Sequence, residues 1–178
     1  MSEGVSKGRE LVYNAVIYGL GATLGDLAKT ETGAKLVEEL HKSFGKYLAE
    51  YLRLKGISYE HSDDPKKLVE NILNMFLKDL DFGKLETLKQ LSDGCNWGVW
   101  KDLLGQDAYD ELAKKYSDPF LACPLNAVIR YELEKMGYTL VVHGSVVDHE
   151  RQVLESWEEV RKGTSFLPAE SHAHKKER

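Results

Sequence analysis

The sequence predicts an α+β fold, in which helices pack on a small antiparallel sheet within a single domain. Helical periodicity dominates the first 80 residues, and strand-like alternation appears over 84–100 and 139–147. With 42% hydrophobic and 30% charged residues among 178, the chain has the composition of an ordinary globular domain. We place this domain at residues 1–162 and expect a disordered tail at 163–178, where small and polar residues prevail.

The first predicted helix covers residues 9–29, where apolar residues recur at roughly helical spacing. Gly19, Gly21 and Gly25 interrupt this pattern, and the small residues at positions 21, 22 and 25 let a second helix approach closely. The alternative interpretation is a phosphate-binding turn. It lacks the dinucleotide spacing, and no acidic residue closes a second strand about 20 residues further on. The glycines therefore indicate packing.

The clearest helical pattern spans residues 34–55 and is amphipathic. Its apolar stripe is predicted to face the core and comprises Val37, Leu40, Phe44, Tyr47, Leu48, Tyr51 and Leu52. His41 lies at the edge of that stripe, and we expect it to be half-buried and not a ligand, because no partner at ligand spacing accompanies it. Asp64 as a cap and Pro65 at the first helical position then predict a helix over 65–80.

The strand signals begin with a short candidate at residues 57–61. A hairpin is predicted over residues 84–100, with Asp93-Gly94 as its turn, because this dipeptide favours the tight turn between two strands. On the returning strand, Trp97 and Trp100 point to opposite faces, since side chains alternate along a strand.

The remaining elements alternate between helix and strand. Residues 107–116 and 124–136 are predicted helices, and residues 139–147 form a strand. The segment 150–161 suits either a helix or a strand paired with the one before it, and its periodicity does not decide between them. The sheet is therefore predicted to consist of the hairpin and the strand over 139–147.

Cys123 stands directly before Pro124 at the start of a predicted helix. The helix dipole lowers the pKa of a thiol at such a place, which suits a reactive or ligating cysteine. The same position suits a small apolar core residue, and the neighbours Phe120 and Leu125 favour that second interpretation. With only one other cysteine, Cys95, the chain is expected to carry two reduced thiols in the cytoplasm.

The charge and hydropathy of the chain argue against two classes of partner. The formal net charge is −5 and the isoelectric point about 5.7, so the field of the protein repels phosphate backbones and predicts no nucleic-acid partner. No apolar stretch approaches the roughly 20 residues that a bilayer span needs, so no membrane span is predicted. The first residues lack the apolar core of a signal peptide, which also favours the cytoplasm.

The order of these parts resembles the 4-vinyl reductase domain family over about residues 8–160. The similar regions are Gly21 to Leu27, the long helix that ends before Gly56-Ile57, and the helix-glycine-strand unit from Ala127 to Val142. The family, also called hydrocarbon-binding domains, shares its fold with small subunits of transport-particle tethering complexes. The resemblance implies an α+β domain, usually dimeric, that holds an apolar small molecule between helices and sheet. Family members commonly end with a cysteine-containing strand pair, whereas no cysteine follows Cys123 here.

We therefore expect a protein that binds or senses an apolar small molecule. The residues predicted to line its pocket are Phe44, Tyr47, Trp97, Trp100, Phe120, Cys123, Tyr131 and His143. Three alternatives remain open: a haem-binding sensor with Cys123 as the iron ligand, a small-molecule enzyme that uses Cys123 and His143, and an assembly subunit. No catalytic motif or paired carboxylate assigns a reaction, which favours binding over catalysis.

The histidines of the chain do not predict a metal site. His143 and His149 would lie about 20 Å apart on a straight strand, too far to share an ion, and the tail histidines His172 and His174 lack fixed surroundings. No metal site is assigned.

The apolar stripe over 34–55 is wider than one contact needs, so we expect a homodimer through this helix or the first one.

Overall fold

The computed structural model of the chain describes residues 3–91 and 95–167. It contains five helices and a four-stranded antiparallel sheet, which confirms the α+β fold. In chain order the elements are α1 (Glu3–Leu27), α2 (Glu31–Leu54), α3 (Pro65–Lys78), β1 (Lys84–Gln90), β2 (Asn96–Lys101), α4 (Gln106–Ala113), α5 (Pro124–Glu134), β3 (Tyr138–Asp148) and β4 (Val153–Lys162).

The sheet has the strand order β1-β2-β4-β3. The segment left open between helix and strand is therefore a strand, and β4 lies between the β1-β2 hairpin and β3. The predicted sheet of a hairpin plus one strand lacked β4, because periodicity alone did not distinguish a helix from a strand over 150–161. Trp97 of β2 stands directly opposite Trp157 of β4. The predicted turn at Asp93-Gly94 lies outside the described residues.

The buried face of α2 differs from the predicted stripe. Leu40, Tyr47 and Tyr51 are exposed, whereas small residues line the contact with α5. A Cβ on Gly45 would lie 2.1 Å from the carbonyl oxygen of Ala127, so the two helix backbones are in direct contact at this point. Such close packing selects the smallest side chains, and it turns the large apolar ones outward.

Gly21 and Gly25 of α1 serve packing, as predicted. The helix is continuous from Glu3, and a Cβ on Gly21 would lie 2.6 Å from Leu112 Cδ1 of α4. A Cβ on Gly25 would similarly lie 2.4 Å from the ring of Tyr116. The expected short strand over 57–61 is not a strand; its Tyr59 hydroxyl instead donates to Glu132 of α5, 2.6 Å away.

The core is centred on α5, which packs against α2, α3 and the inner face of the sheet. Its fully buried side chains include Val128, Ile129 and Leu133. Packed structure continues five residues past the predicted domain end, because Phe166 and Leu167 are buried and their backbone N–H groups donate to Glu38 of α2. Residues 168–178 lie outside the described part. No helix among the described residues is long and apolar enough to cross a bilayer.

Candidate functional site

A pocket of about 260 Å³ lies between α3, α5 and the inner face of the sheet. The first turn of α5 forms one wall of the pocket, and Pro124 fixes where this helix begins. Helix α3 forms another wall, and the cap at Asp64 fixes its start. The apolar lining residues are Val69, Leu73, Leu88, Trp100, Leu125, Ile129, Leu140 and Val160. The exposed side chains Lys66, Glu70 and Gln90 stand on the solvent side of the pocket.

Three polar side chains converge among these apolar walls: Asn126, Ser156 and Glu158. Asn126 and Ser156 are buried, and the hydroxyl oxygen of Ser156 accepts a hydrogen bond from Trp100 Nε1 at 3.1 Å. The Asn126 amide is also buried, and its side chain interacts with the carboxyl group of Glu158. A few convergent polar groups among apolar walls are typical of ligand pockets and distinguish this space from an ordinary packing gap.

The local backbone opens the pocket on the strand side. Gly98 lies beside Trp100 on β2, and a Cβ there would be 3.0 Å from Trp100 Nε1 and 3.5 Å from the Ser156 hydroxyl. The missing side chain therefore leaves room for the hydrogen bond between these two residues. It also leaves the strand face open in front of them.

Glu158 is a pocket carboxyl group whose titration is strongly altered. Burial raises its pKa to about 7, and the Asp118 carboxylate acts in the same direction. The Arg130 guanidinium and the side chains of Ser156 and Asn126 oppose that rise. The group therefore exchanges a proton near neutral pH, as carboxyl groups in functional pockets often do.

A buried ionic cluster lies behind the pocket. Arg130 of α5 donates to Asp118 Oδ2 at 2.6 Å and to the Leu140 carbonyl oxygen at 2.9 Å. Its third contact is with His41 Nε2 at 3.3 Å. Since arginine has no acceptor, Nε2 accepts and this histidine is neutral, which agrees with a pKa held well below its ordinary value by burial and by Arg130.

Phe166 closes the outer side of this cluster. The Arg130 guanidinium carbon lies 3.9 Å from the centre of the Phe166 ring, and the His41 ring lies 5.0 Å from it. A cation above an aromatic face gains electrostatic attraction, most of all where water is excluded. The segment after β4 is thus part of the packed structure around α5.

Cys123 is a buried thiol at the start of α5, as its apolar neighbours predicted. Burial raises its pKa to about 11, whereas Tyr109 and the backbone N–H groups of Asn126 and Leu125 act in the opposite direction. The hydroxyl groups of Tyr13 and Tyr109 are buried close to it, and burial raises their pKa values too. The thiol is therefore protonated at neutral pH and is no nucleophile as it stands.

The structure separates the eight residues predicted to line a pocket. Only Trp100 lines the pocket described above. Phe120 and Cys123 are buried in the core, where Phe120 packs edge-on against Tyr109. The other five lie elsewhere: Phe44 and Tyr47 on α2, Tyr131 under the Lys135 ammonium, and Trp97 and His143 on the outer face of the sheet.

The positions of Cys123 and His143 bear on two of the alternatives. His143 is 41% exposed and pairs with Glu159 at 3.0 Å on the outer face, so it does not reach the buried thiol. Haem ligation by Cys123 would require displacement of the surrounding core, because this residue does not line the pocket. Within residues 3–91 and 95–167, no group of three or more His, Cys, Asp and Glu side chains is placed to hold a metal ion.

Asn126, Ser156 and Glu158 were not predicted from the sequence. The signal lay in the segment 150–161, which the sequence left open between helix and strand. Once this segment is a strand with Leu154 in the core, residues 156 and 158 lie on the same face as Leu154. No protein-family model matches the chain, and a search of curated proteins finds no match either.

Proposed function

We propose that the protein binds or senses an apolar small molecule in the pocket between α3, α5 and the sheet. The observation that carries this proposal is the convergence of Asn126, Ser156 and Glu158 among predominantly apolar walls. An engineered apolar cavity of about 150 Å³ holds benzene, so a pocket of this volume suits a molecule of about ten non-hydrogen atoms.

Naphthalene, with ten carbon atoms, is a suitable first probe. Val69 lines the pocket, so Val69→Trp fills it, whereas Val146→Trp places the same bulk on the exposed outer face of the sheet. A ligand that binds the folded state raises the unfolding temperature. We expect naphthalene to raise it for the wild-type protein and for Val146→Trp, but not for Val69→Trp. An equal rise in all three proteins, or none in the wild type, would contradict the proposal.

We propose in addition that the protein forms a homodimer through the exposed faces of α1 and α2. These faces carry large apolar side chains that nothing in the described chain covers: Leu11, Val12, Val16 and Leu20 on α1, and Leu36, Leu40, Tyr47 and Tyr51 on α2. Val12 is 64% and Tyr47 62% exposed. Exposed large apolar side chains that include tyrosines are typical of protein interfaces.

The dimer is tested by light scattering at micromolar concentration. We expect the mass of two chains for the wild type and of one chain for the double variant Val12→Glu, Tyr47→Glu. Val146→Glu is the matched control, because Val146 is 50% exposed on the sheet and should leave the dimer intact. A monomer mass for the wild type would rule this interface out.

We also propose that the chain is related to the 4-vinyl reductase domains and works in the cytoplasm. The order of three helices, a hairpin, two helices and a strand pair supports the relationship. The buried thiol of Cys123 and the presence of only two cysteines support a reducing compartment.

A further inference from the structure

The buried polar side chains of the pocket surround one carboxyl group. We propose, resting on the proposed binding function, that Glu158 is a general base that removes a proton from a carbon atom of an apolar molecule held in this pocket. The juxtaposition that carries this inference is a carboxyl group on the inner face of the sheet with Asn126 and Ser156 beside it and apolar walls around it.

The hydrogen bonds around Glu158 support its ionised form. Trp100 Nε1 donates to the hydroxyl oxygen of Ser156 at 3.1 Å, which leaves the hydroxyl hydrogen for another acceptor. The side chains of Ser156 and Asn126 are both hydrogen-bond partners of the Glu158 carboxyl group and favour its charge. Because a carboxylate has about four lone-pair sites, two such partners leave it able to accept a proton from a bound molecule.

The position of Glu158 suits it to act on a ligand. It lines the pocket and is half-buried, whereas Asn126 and Ser156 are buried, so a molecule in the pocket can reach its carboxyl group. Burial raises its pKa to about 7, which makes it a stronger base than an exposed carboxylate. A general base works best when its pKa lies near the pH at which it acts, so this group is matched to neutral solution.

The charged and titratable groups near Glu158 lie behind the pocket or at its solvent side. Behind it, the Arg130 guanidinium of α5 favours ionisation of Glu158, and the Asp118 carboxylate opposes it. At the solvent side, Lys66 and Glu70 of α3 are exposed. The thiol at the start of α5 is neutral, because burial raises its pKa to about 11. Glu158 is therefore the carboxyl group of this pocket that its surroundings make a base at neutral pH.

1,2-Benzisoxazole is a suitable test substrate, because it is apolar, carries an acidic C–H bond and is smaller than naphthalene. The Glu158 carboxylate takes the proton from C3, and the electron pair of that C–H bond turns the C=N bond into a nitrile. The N–O bond breaks, and its electron pair stays on the oxygen. The products are 2-cyanophenolate and protonated Glu158, which returns its proton to water. The reaction needs a base and no further reactant.

Turnover is measured from the absorbance of 2-cyanophenolate. We expect kcat/KM of the wild-type protein to rise through about pH 7 and then to level off, because the ionised carboxyl group is the base. Glu158→Gln keeps the shape of the side chain but cannot take up the proton, so it should lower kcat/KM at pH 8 about a hundredfold or more. Glu155→Gln is the matched control: this carboxyl group accepts from Trp97 Nε1 on the outer face of the sheet, and its loss should leave turnover unchanged.

Two further variants test the surroundings of the base. Asn126→Leu removes a hydrogen-bond partner that favours the ionised form of Glu158, so the midpoint of the pH profile should move to higher pH. A purely structural role of Asn126 would not move this midpoint. Val69→Trp fills the pocket and should abolish turnover. These two variants keep the test valid if Glu158→Gln fails to fold.

The outcomes separate the general-base inference from the binding function. Turnover that is absent in the wild type, equal in Glu158→Gln, or retained in Val69→Trp would overturn the inference. If naphthalene still raises the unfolding temperature of the wild type but not that of Val69→Trp, the binding function stands in each of these cases. Absence of both turnover and the naphthalene effect in the wild type would overturn both proposals.

Discussion

At the scale of single residues, Cys123 shows how burial outweighs a helix terminus. The thiol lies where the backbone N–H groups of α5 favour its ionised form, yet its pKa rises to about 11 because the charge would be buried. The helix start is therefore no guide to reactivity here. The sequence predicted this outcome, since the residues on both sides of Cys123 are apolar.

We predict that the Cys123 thiol reacts with an aromatic disulfide reagent about a hundredfold more slowly in the native protein than in the unfolded chain. The thiolate is the reactive form. Burial disfavours the thiolate and also keeps the reagent away from the sulfur. The measurement uses a Cys95→Ser background, so that a single thiol reports. Cys123→Ser should cost about 1 to 3 kcal/mol in urea unfolding, because it buries a hydroxyl in an apolar site. Rapid labelling of the intact fold would contradict the structural role.

Glu158 gives a second prediction, on the pH dependence of stability. Its pKa is about 7 in the folded protein and near 4.5 when unfolded, so the folded state holds the proton more tightly. Its contribution to stability is therefore present below about pH 4.5 and is lost as the pH rises through about 7. His41 acts with the opposite sign, because its lowered pKa costs stability as the pH falls below about 6.5.

Glu158→Gln isolates the carboxyl contribution, since His41 is unchanged in the variant. The free energy of unfolding of the variant, relative to the wild type, should rise between pH 5 and pH 8. Urea unfolding at both pH values measures it. A constant difference across this range would mean that Glu158 titrates alike in the folded and unfolded chains.

At the scale of elements, the contact of α2 with α5 depends on Gly45. Because a Cβ at this position would lie 2.1 Å from a backbone oxygen, the helices must separate to admit it. We predict that Gly45→Ala destabilises the protein by about 1 to 3 kcal/mol, as overpacking does. Gly19→Ala is the matched control: a Cβ there has nothing within 4 Å, so the change should stabilise α1 by about 0.5 to 1 kcal/mol. If the two substitutions changed the free energy of unfolding in urea by similar amounts, this account of the contact would be contradicted.

The elements themselves were largely predictable, whereas their faces were not. Caps and proline gave the start of α3 at Pro65, and periodicity gave α2 and α5 to within a few residues. The buried face of α2 escaped prediction because the spacing of large apolar and aromatic side chains favoured Tyr47 over Gly45, and only the partner helix makes glycine the better core residue. The pocket residues Asn126 and Glu158 were missed because each is polar and stands on an element whose inner face is set by distant strands.

At the scale of the whole molecule, the segment after β4 holds α2 and α5 together. Phe166 covers Arg130 and His41, and Glu38 accepts hydrogen bonds from the Ser165 hydroxyl and from the Phe166 backbone. The predicted boundary at 162 placed these contacts outside the domain. Local composition, rich in Gly and Ser, could not reveal a ring that finds its partners 36 and 125 residues earlier in the chain.

We predict that Phe166→Ala costs about 3 to 5 kcal/mol of stability, the range for a buried aromatic side chain. It would also open the Arg130 guanidinium to water. Ser165→Ala is the control; it removes one hydrogen bond to Glu38 and should cost about 1 kcal/mol. Equal costs for both variants in urea unfolding would show that the ring contributes little.

The place of β4 between β2 and β3 also has a consequence for how the protein is made. Trp97 of β2 meets Trp157 of β4 across 60 positions of the chain. During synthesis the β1-β2 hairpin leaves the ribosome long before its central neighbour exists, so the inner edge of β2 stays open to other chains. The sheet closes only after residues 153–162 have emerged. Sheet assembly is thus a late and non-local step, at which a nascent chain is most exposed to aggregation.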